Sequence, residues 1–280
     1  MNKSVFDILK QHKFKFKKLL GQNFITDTNL LNSIALDSNA TKDDTIVEIG
    51  AGAGTLTIAL SEIAKAVYAF EIDPQLKPIL DIMLKNRSNI KVDYRDVLRL
   101  SDKEFSTIVN SEFVVVSNLP YYITTPILMR FIESSLPVKS LTLTMQKEVA
   151  YRLTARHNTP EYGAITLAVQ LFGNAKITRI INRTSFRPSP IVDSAVVNIE
   201  RRNAPVDVKD IKQLRRLIHS GFAMRRKTFI NNISASFCIP KETLRSGFES
   251  MNYSEMIRGE ALSLDDYIRI SDYLTDLKTK

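Results

Sequence analysis

The sequence predicts an α/β fold in which a mainly parallel sheet carries helices on both faces, followed by a small all-helical C-terminal domain. Three observations carry this. Helical and extended hydrophobic periods alternate from residue 26 to about residue 147, a glycine-rich turn follows the first strong strand, and strand signals disappear beyond Ala204-Pro205. A chain of 280 residues suits two domains of roughly 150 residues each. The division expected is 1–204 and 205–280.

Each element follows from its local pattern. Thr26 to about Asn39 reads as a helix with Leu30, Leu31, Ile34 and Ala35 on one face, and Thr45–Ile49 is a β-branched strand ending at Gly50. Leu56–Lys65 is helical and Ala66–Ile72 extended; Pro74 then opens a helix to about Lys85, since proline is tolerated in a first turn. Ile90–Tyr94 and Phe113–Ser117 read as strands, Thr125–Ser134 as a helix and Ser140–Met145 as a strand. After residue 147 the pattern loosens. A helix at Ala164–Phe172 precedes two extended segments, Lys176–Asn182 and Ser194–Arg201, expected to pair antiparallel at one edge of the sheet. Residues 206–280 read as four or five short helices.

Composition excludes several classes. The chain has one cysteine, Cys238, and its three histidines are far apart, so neither a disulfide nor a zinc motif is expected and a reduced, cytoplasmic compartment fits. No apolar run reaches about 18 residues, so no membrane span is expected. The net charge is +9, and its distribution is uneven: residues 1–20 carry +5, residues 201–230 carry +7, and the remaining 230 residues carry −3. Two basic segments on a near-neutral body suggest a polyanionic partner, nucleic acid first and an anionic membrane second. Solvated charged faces would give the same arithmetic.

The strand TIVEIG runs into Gly50-Ala51-Gly52-Ala53-Gly54 and then a helix. Glycines suit a tight turn and a close ligand approach to a helix N-terminus, although a plain strand-to-helix connection would read the same way. A dinucleotide fingerprint would need glycine at Thr55. Glu71 ends the second strand, 21 residues after Gly50, where a carboxylate can accept from both ribose hydroxyls, and Asp96 follows the third strand, suited to an adenine amino group. Exposed loop acids are the alternative for each one singly. Without a P-loop lysine, the pair indicates an adenosine-containing cofactor with little or no phosphate.

After FVVVS comes Asn118-Leu119-Pro120-Tyr121-Tyr122. Pro120 keeps Leu119 extended and removes a donor, which lets carbonyls point into a cleft. Asn118 adds a side-chain carbonyl and Tyr121 an aromatic face, a combination suited to a planar base with an exocyclic amine. A plain β-turn is the alternative.

The set KKLLGQNF, EIGAGAG, EID, YRD, NLPYYITTPIL, SFRPSPIVDS and GFAMRRKTFINN, in order from about Lys17 to Asn232, resembles the small-subunit ribosomal RNA adenine N6,N6-dimethyltransferase family. The resemblance implies a Rossmann-like class I methyltransferase domain followed by a helical RNA-binding domain. It implies S-adenosylmethionine contacts at Asn23, Ile25, Gly50, Glu71, Asp96 and Asn118, and no metal. Asn118 and the Leu119 carbonyl would orient the amine, while Tyr121 and Phe186 would clamp a base swung out of its stack, with Pro188 and Pro190 holding the Phe186 loop. The chemistry expected is in-line displacement of the sulfonium methyl by the adenine nitrogen. Isoleucine at 25 replaces a frequent leucine, and Tyr122 replaces a common asparagine, which touches fine substrate geometry.

The resemblance also gives the basic segments a partner: small-subunit RNA within an assembling 30S particle, at two adjacent adenosines in a hairpin loop near the 3′ end, bound by a monomer. Lys17 and Lys18, on a mobile arm with Lys13, Lys15, Phe14 and Phe16, would contact RNA phosphates. Arg225, Arg226 and Lys227 would do so after a helix Ile211–Ala223 that turns Leu214, Leu217 and Ile218 inward and Lys212, Arg215 and Arg216 outward. Three rivals stand beside this reading: a large-subunit enzyme of the macrolide-resistance type, an RNA-binding assembly factor without catalysis, and a NAD oxidoreductase.

Overall fold

The computed structural model describes residues 5–17, 21–224 and 226–278. Its centre is a seven-stranded sheet of β2 (Thr45–Ile49), β3 (Ala66–Phe70), β4 (Ile90–Asp93), β5 (Phe113–Asn118), β6 (Val138–Gln146), β7 (Gly173–Ile181) and β9 (Ser194–Arg201), ordered β4-β3-β2-β5-β6-β9-β7. β2 and β5 are central and buried along nearly their whole length. Ile46, Val47 and Ile49 of β2 and Phe113, Val114, Val115 and Val116 of β5 supply the apolar run that a parallel strand covered on both faces requires, with Thr45, Glu48 and Ser117 the buried polar exceptions. β2 pairs in parallel with β3 and β5, β3 with β4, and β5 with β6, whereas β9 runs antiparallel to β6 from Ser140↔Glu200 to Gln146↔Ser194. The two late strands are neighbours at one edge, as expected. A short ladder of β1 (Phe24–Ile25) with β8 (Phe186–Arg187) stands outside this sheet.

Strand order reverses between β2 and β5, and ligands of open α/β sheets bind at the carboxyl ends of strands beside such a reversal. The helices there are set by their caps. Asp27 accepts from Asn29 N and Leu30 N to start α2 (Thr28–Leu36), whose Leu31, Ile34 and Ala35 enter the core. Left-handed Gly54 precedes α3 (Thr55–Ile63). Residues 74–76 form a 3₁₀ turn before α4 (Lys77–Met83), so the helix that Pro74 opens is interrupted at its start. α5 (Asp102–Ile108), absent from the pattern reading, begins with a capping box between Ser101 and Glu104. α6 (Tyr121–Ile132) starts four residues before the expected Thr125, directly after Pro120. Tyr121 therefore sits in a helical first turn rather than in a free loop.

Two corrections concern organisation. The arm is not a loose basic tail over its described part: α1 (Val5–Gln11) buries Val5, Ile8 and Leu9 in a cluster with Leu76, Ile79 and Leu80. The chain also divides differently from a single cut at 204/205. One compact unit comprises Met1–Ala150 with Ala175–Arg201, and the other Tyr151–Asn174 with Arg202–Lys280. The reason is burial. The first crossing between units falls within α7 (Lys147–Leu153), and Tyr162 and Leu167, the latter in α8 (Ala164–Phe172), enter the core of the helical unit with Leu214, Phe229, Phe248 and Tyr267.

That unit otherwise contains α9 (Ile211–Gly221), α10 (Phe229–Phe237), α11 (Lys241–Ser250) and α12 (Leu264–Lys278). Leu214, Leu217 and Ile218 of α9 are buried while Lys212 and Arg216 are exposed, as the period predicts, and Arg215 is half-buried. Close packing fixes two glycines. A Cβ on Gly221 would lie 2.4 Å from Phe229, and one on Gly259 would lie 2.5 Å from the Gly221 carbonyl. Among the described residues no helix is long and apolar enough to cross a membrane.

Candidate active site

A pocket of about 300 Å³ opens at the carboxyl ends of β2, β3, β4 and β5. It brings together Asn23, Ile25, Gly50, Glu71, Asp96, Asn118, Leu119, Tyr121 and Phe186, residues spread over more than half of the chain. Every expected cofactor and base residue lines this one cavity. Lys17, Arg226 and Lys227 are not part of its lining, and Lys18 and Arg225 lie outside the described residues.

One wall is the glycine turn. Gly50, Gly52 and Gly54 all have positive φ, at 74°, 58° and 82°, which explains glycine at each. Gly52 has a second reason: a Cβ there would come within 2.9 Å of the Phe24 ring. The backbone N–H of Gly52 donates to Glu71 Oε2 at 2.8 Å, and that of Asp73 donates to Glu71 Oε1 at 2.8 Å. A carboxylate has about four acceptor directions, so each oxygen keeps capacity toward the pocket. Burial pushes the Glu71 carboxyl above its ordinary value, against the pull of these N–H groups. Asp96 is half-exposed; its Oδ1 accepts from Leu98 N at 3.0 Å and its Oδ2 lies 3.4 Å from Arg99 Nε.

The facing wall is the β5–α6 junction. Asn118 Nδ2 donates to the Asn23 carbonyl at 3.3 Å, which directs that amide nitrogen to the arm and leaves Oδ1 as the acceptor. Leu119 is buried and lines the pocket between Asn118 and Pro120. The Tyr121 hydroxyl shares a 2.7 Å hydrogen bond with Ser194 Oγ at the start of β9, and burial raises its pKa, so the ring carries a neutral hydroxyl. Phe186 lines the pocket from β8, paired with Ile25, and is buried against Ile181 and Val196. It serves the core and the cavity at once. Tyr122 is 55% exposed and stands over the arm, where Gly21, at φ 54°, passes so near that a Cβ would lie 3.2 Å from Pro120 and 3.5 Å from Tyr122.

Several residues were not singled out from sequence. Ile72 and Leu98, both exposed apolar side chains, line the mouth beside Glu71 and Asp96; an apolar residue shortly after each acid was the available signal. Glu48, buried on β2, also lines the pocket, and its Oε2 has no hydrogen-bond partner among the described residues. Burial, with the Glu71 charge adding to it and Thr57 easing it, pushes the Glu48 pKa up to about 8. Lys17 departs from expectation. Its ammonium, expected on RNA, lies 2.7 Å from Oδ1 of Asp73, whose side chain is fully buried.

The sequence model described as ribosomal RNA adenine dimethylase matches residues 13–276. A Streptococcus thermophilus ribosomal RNA small subunit methyltransferase A is 44% identical over 277 residues, covering 96% of this chain and 95% of that protein. A Lactococcus lactis protein of the same name is 43% identical, covering 97% and 94%, and one from Clostridium botulinum is 41% identical, covering 97% and 98%. The solved structure of a Plasmodium falciparum dimethyladenosine transferase shares the fold with a TM-score of 0.75 at 23% identity, covering 91% of this chain and 98% of that one. That of the 23S rRNA methyltransferase ErmE gives 0.70 at 22% identity, covering 90% and 99%. The fold is thus shared with both of these proteins at low identity, whereas the match in sequence to the curated relatives runs along almost the whole length. On that match the chain belongs to the ribosomal RNA adenine dimethylase family.

Proposed function

We propose that this protein transfers methyl groups from S-adenosylmethionine to the N6 amines of two adjacent adenosines in a hairpin loop near the 3′ end of small-subunit (16S) ribosomal RNA. It does so as a monomer, in the cytoplasm, on an assembling 30S particle. The observation that carries the reading is the meeting, in one pocket, of a buried carboxylate at the end of β3 with the Asn118-Leu119-Pro120-Tyr121 turn at the end of β5.

The residues present fit the cofactor. Glu71 keeps acceptor capacity for a ribose, and Ile72 and Leu98 offer apolar contact beside Asp96. Asn23, Ile25, Gly50 and Asn118 complete that side of the site. When bound, S-adenosylmethionine supplies a methyl group on a positively charged sulfur. Asn118 Oδ1 and the Leu119 carbonyl accept hydrogen bonds from the two N–H groups of the unmethylated target amine, which holds nitrogen toward its pyramidal, nucleophilic form. Tyr121 and Phe186 bound the base laterally. The protein contributes position and accommodation of positive charge and needs no strong general base. Arg226 and Lys227, both exposed, with Lys18 and Arg225, bind phosphates and set orientation without reading sequence.

The test is mass spectrometry of small-subunit RNA after incubation of 30S precursor particles with protein and cofactor. The expected product is dimethyladenosine at two neighbouring positions. Because ErmE shares the fold, protein-free large-subunit RNA is the second arm; product on that RNA alone rejects the small-subunit reading.

A further inference from the structure

The arm meets the cofactor pocket through a closed ring of hydrogen bonds. Lys17 Nζ donates to Asp73 Oδ1 at 2.7 Å, Gln22 Nε2 donates to Asp73 Oδ2 at 2.9 Å, and the Lys17 backbone N–H donates to Gln22 Oε1 at 3.0 Å. Asp73 also accepts from Gln75 N at 3.1 Å, which caps the 3₁₀ turn 74–76. The residue is 1% exposed. A carboxylate so enclosed is tolerable only while its donors stay in place, because an unpaired buried charge is costly. Burial alone would raise the Asp73 pKa, yet Lys17, Gln22 and Gln75 bring it below its ordinary value, so the group is an anion that depends on the arm.

Two features connect this ring to the pocket. On one side, the Asp73 backbone N–H holds Glu71 Oε1 at 2.8 Å, so the residue that anchors the arm also orients the carboxylate of the glycine wall. On the other, Gln22 is followed by Asn23, Phe24 and Ile25, which line the cavity together with Gly21 and Gln22. That segment has further fastenings: the Asn23 carbonyl accepts from Asn118 Nδ2, and the Ile25 carbonyl accepts from Thr55 Oγ1 at 3.1 Å. Lys13 and Lys15 differ from Lys17. Both are exposed and neither makes an ion pair among the described residues.

We propose that Lys17 and Gln22 are positioning residues of the cofactor site, fastening the arm to buried Asp73 so that residues 21–25 and Glu71 keep their binding geometry, and that Lys17 is not an RNA phosphate contact. This rests on the pocket being the S-adenosylmethionine site. The lysine charge that looks available to RNA in the sequence is spent within the protein. Because the Lys17 side chain is 40% exposed and the segment has other fastenings, loss of the ion pair loosens the site without abolishing it.

Calorimetry of S-adenosylmethionine binding to the full-length protein tests this, together with the salt dependence of binding to small-subunit ribosomal RNA. Lys17→Met is expected to weaken cofactor binding roughly tenfold, on the scale of a hydrogen bond to a charged group discounted for exposure. Lys17→Arg is expected to restore it, a rescue that a general loss of folding would not show. The slope of log K against log salt for RNA should stay at the parent value in Lys17→Met, whereas Lys15→Met should flatten it by about 0.7 to 0.9. Parent-like cofactor affinity in Lys17→Met overturns the positioning role, and an RNA salt slope flattened in Lys17→Met, whatever the cofactor affinity, overturns the statement that Lys17 is not an RNA contact. Failure of the parent protein to bind S-adenosylmethionine would instead strike at the reading of the pocket.

Discussion

The two walls of the pocket are built from different distances along the chain. In the glycine wall Glu71 is held by N–H groups 19 and 2 residues away, all at the ends of neighbouring parallel strands. In the facing wall Asn118 is tied to a residue 95 positions away and Tyr121 to one 73 positions away. The first wall is assembled once three strands register; the second is complete only when the arm and β9 have also arrived. A binding surface is thus placed on the locally determined half, and the groups that orient the reacting amine are placed on the half that depends on the finished fold.

The sharpest way to separate the walls is to remove one polar group from each. Asn118→Ala deletes the amine acceptor and also frees the Asn23 carbonyl, but the cofactor keeps Glu71 and the glycine turn. Turnover is expected to fall about a thousandfold, the upper range for one preorganised polar group, with cofactor affinity reduced far less. Single-turnover kinetics beside calorimetry would check this, and unchanged turnover would reject the orienting role. Glu71→Ala should give the opposite balance. It removes the side-chain acceptor shared by the Gly52 and Asp73 N–H groups, and cofactor affinity is expected to fall about a hundredfold. If saturating cofactor fails to recover most of the turnover in that variant, the division between a binding wall and an orienting wall does not hold.

The same contrast explains what was legible in the sequence. The strand ends carrying Gly50, Glu71 and Asp96 follow from regular spacing, and the alternation of periods places them on one edge of a parallel sheet. Asn118-Leu119-Pro120-Tyr121 was legible as a site through its chemistry, but its secondary structure was not, because proline at 120 reads as a loop while its φ of −55° equally admits a helix. Ser101 and Glu104 announced α5, yet that helix buries only Phe105 and so has almost no hydrophobic period. The pairs Lys17–Asp73 and Tyr121–Ser194 left no trace, since no local rule relates residues 56 or 73 positions apart. Nor does any pattern state which core an apolar face enters. α8 lies between sheet strands in the sequence, and its neighbourhood packs with the helices beyond residue 201.

Ser194 tests the orienting wall more gently. Its hydroxyl is the partner of Tyr121 and is wholly buried, and it contributes nothing else to the cavity lining. Ser194→Ala should release the tyrosine ring and lower kcat roughly tenfold while leaving cofactor affinity in place, the worth of one buried hydrogen bond expressed in the step that needs the ring held. Tyr121→Phe should cost about as much, and the double variant little more than either, because both break the same bond. Additive losses would mean that the two residues act separately.

The last test concerns stability rather than the reaction, through Glu48 of β2, whose Oε2 has no hydrogen-bond partner among the described residues. Glu48 is fully buried and its pKa is pushed up from 4.5 to about 8, chiefly by burial. Between those values the unfolded chain has released this proton and the folded chain retains it. The folded state therefore binds more protons, and stability drops as pH rises, by up to about 1.4 kcal/mol per unit from this group alone. The contribution is complete below 4.5 and has been lost once pH passes about 8. Glu48→Gln keeps a neutral polar group of the same size and removes the titration. Its melting temperature relative to the parent should accordingly climb across that interval, and a difference that stays flat with pH would show that Glu48 is ionised in the fold and that some donor on the wall reaches it.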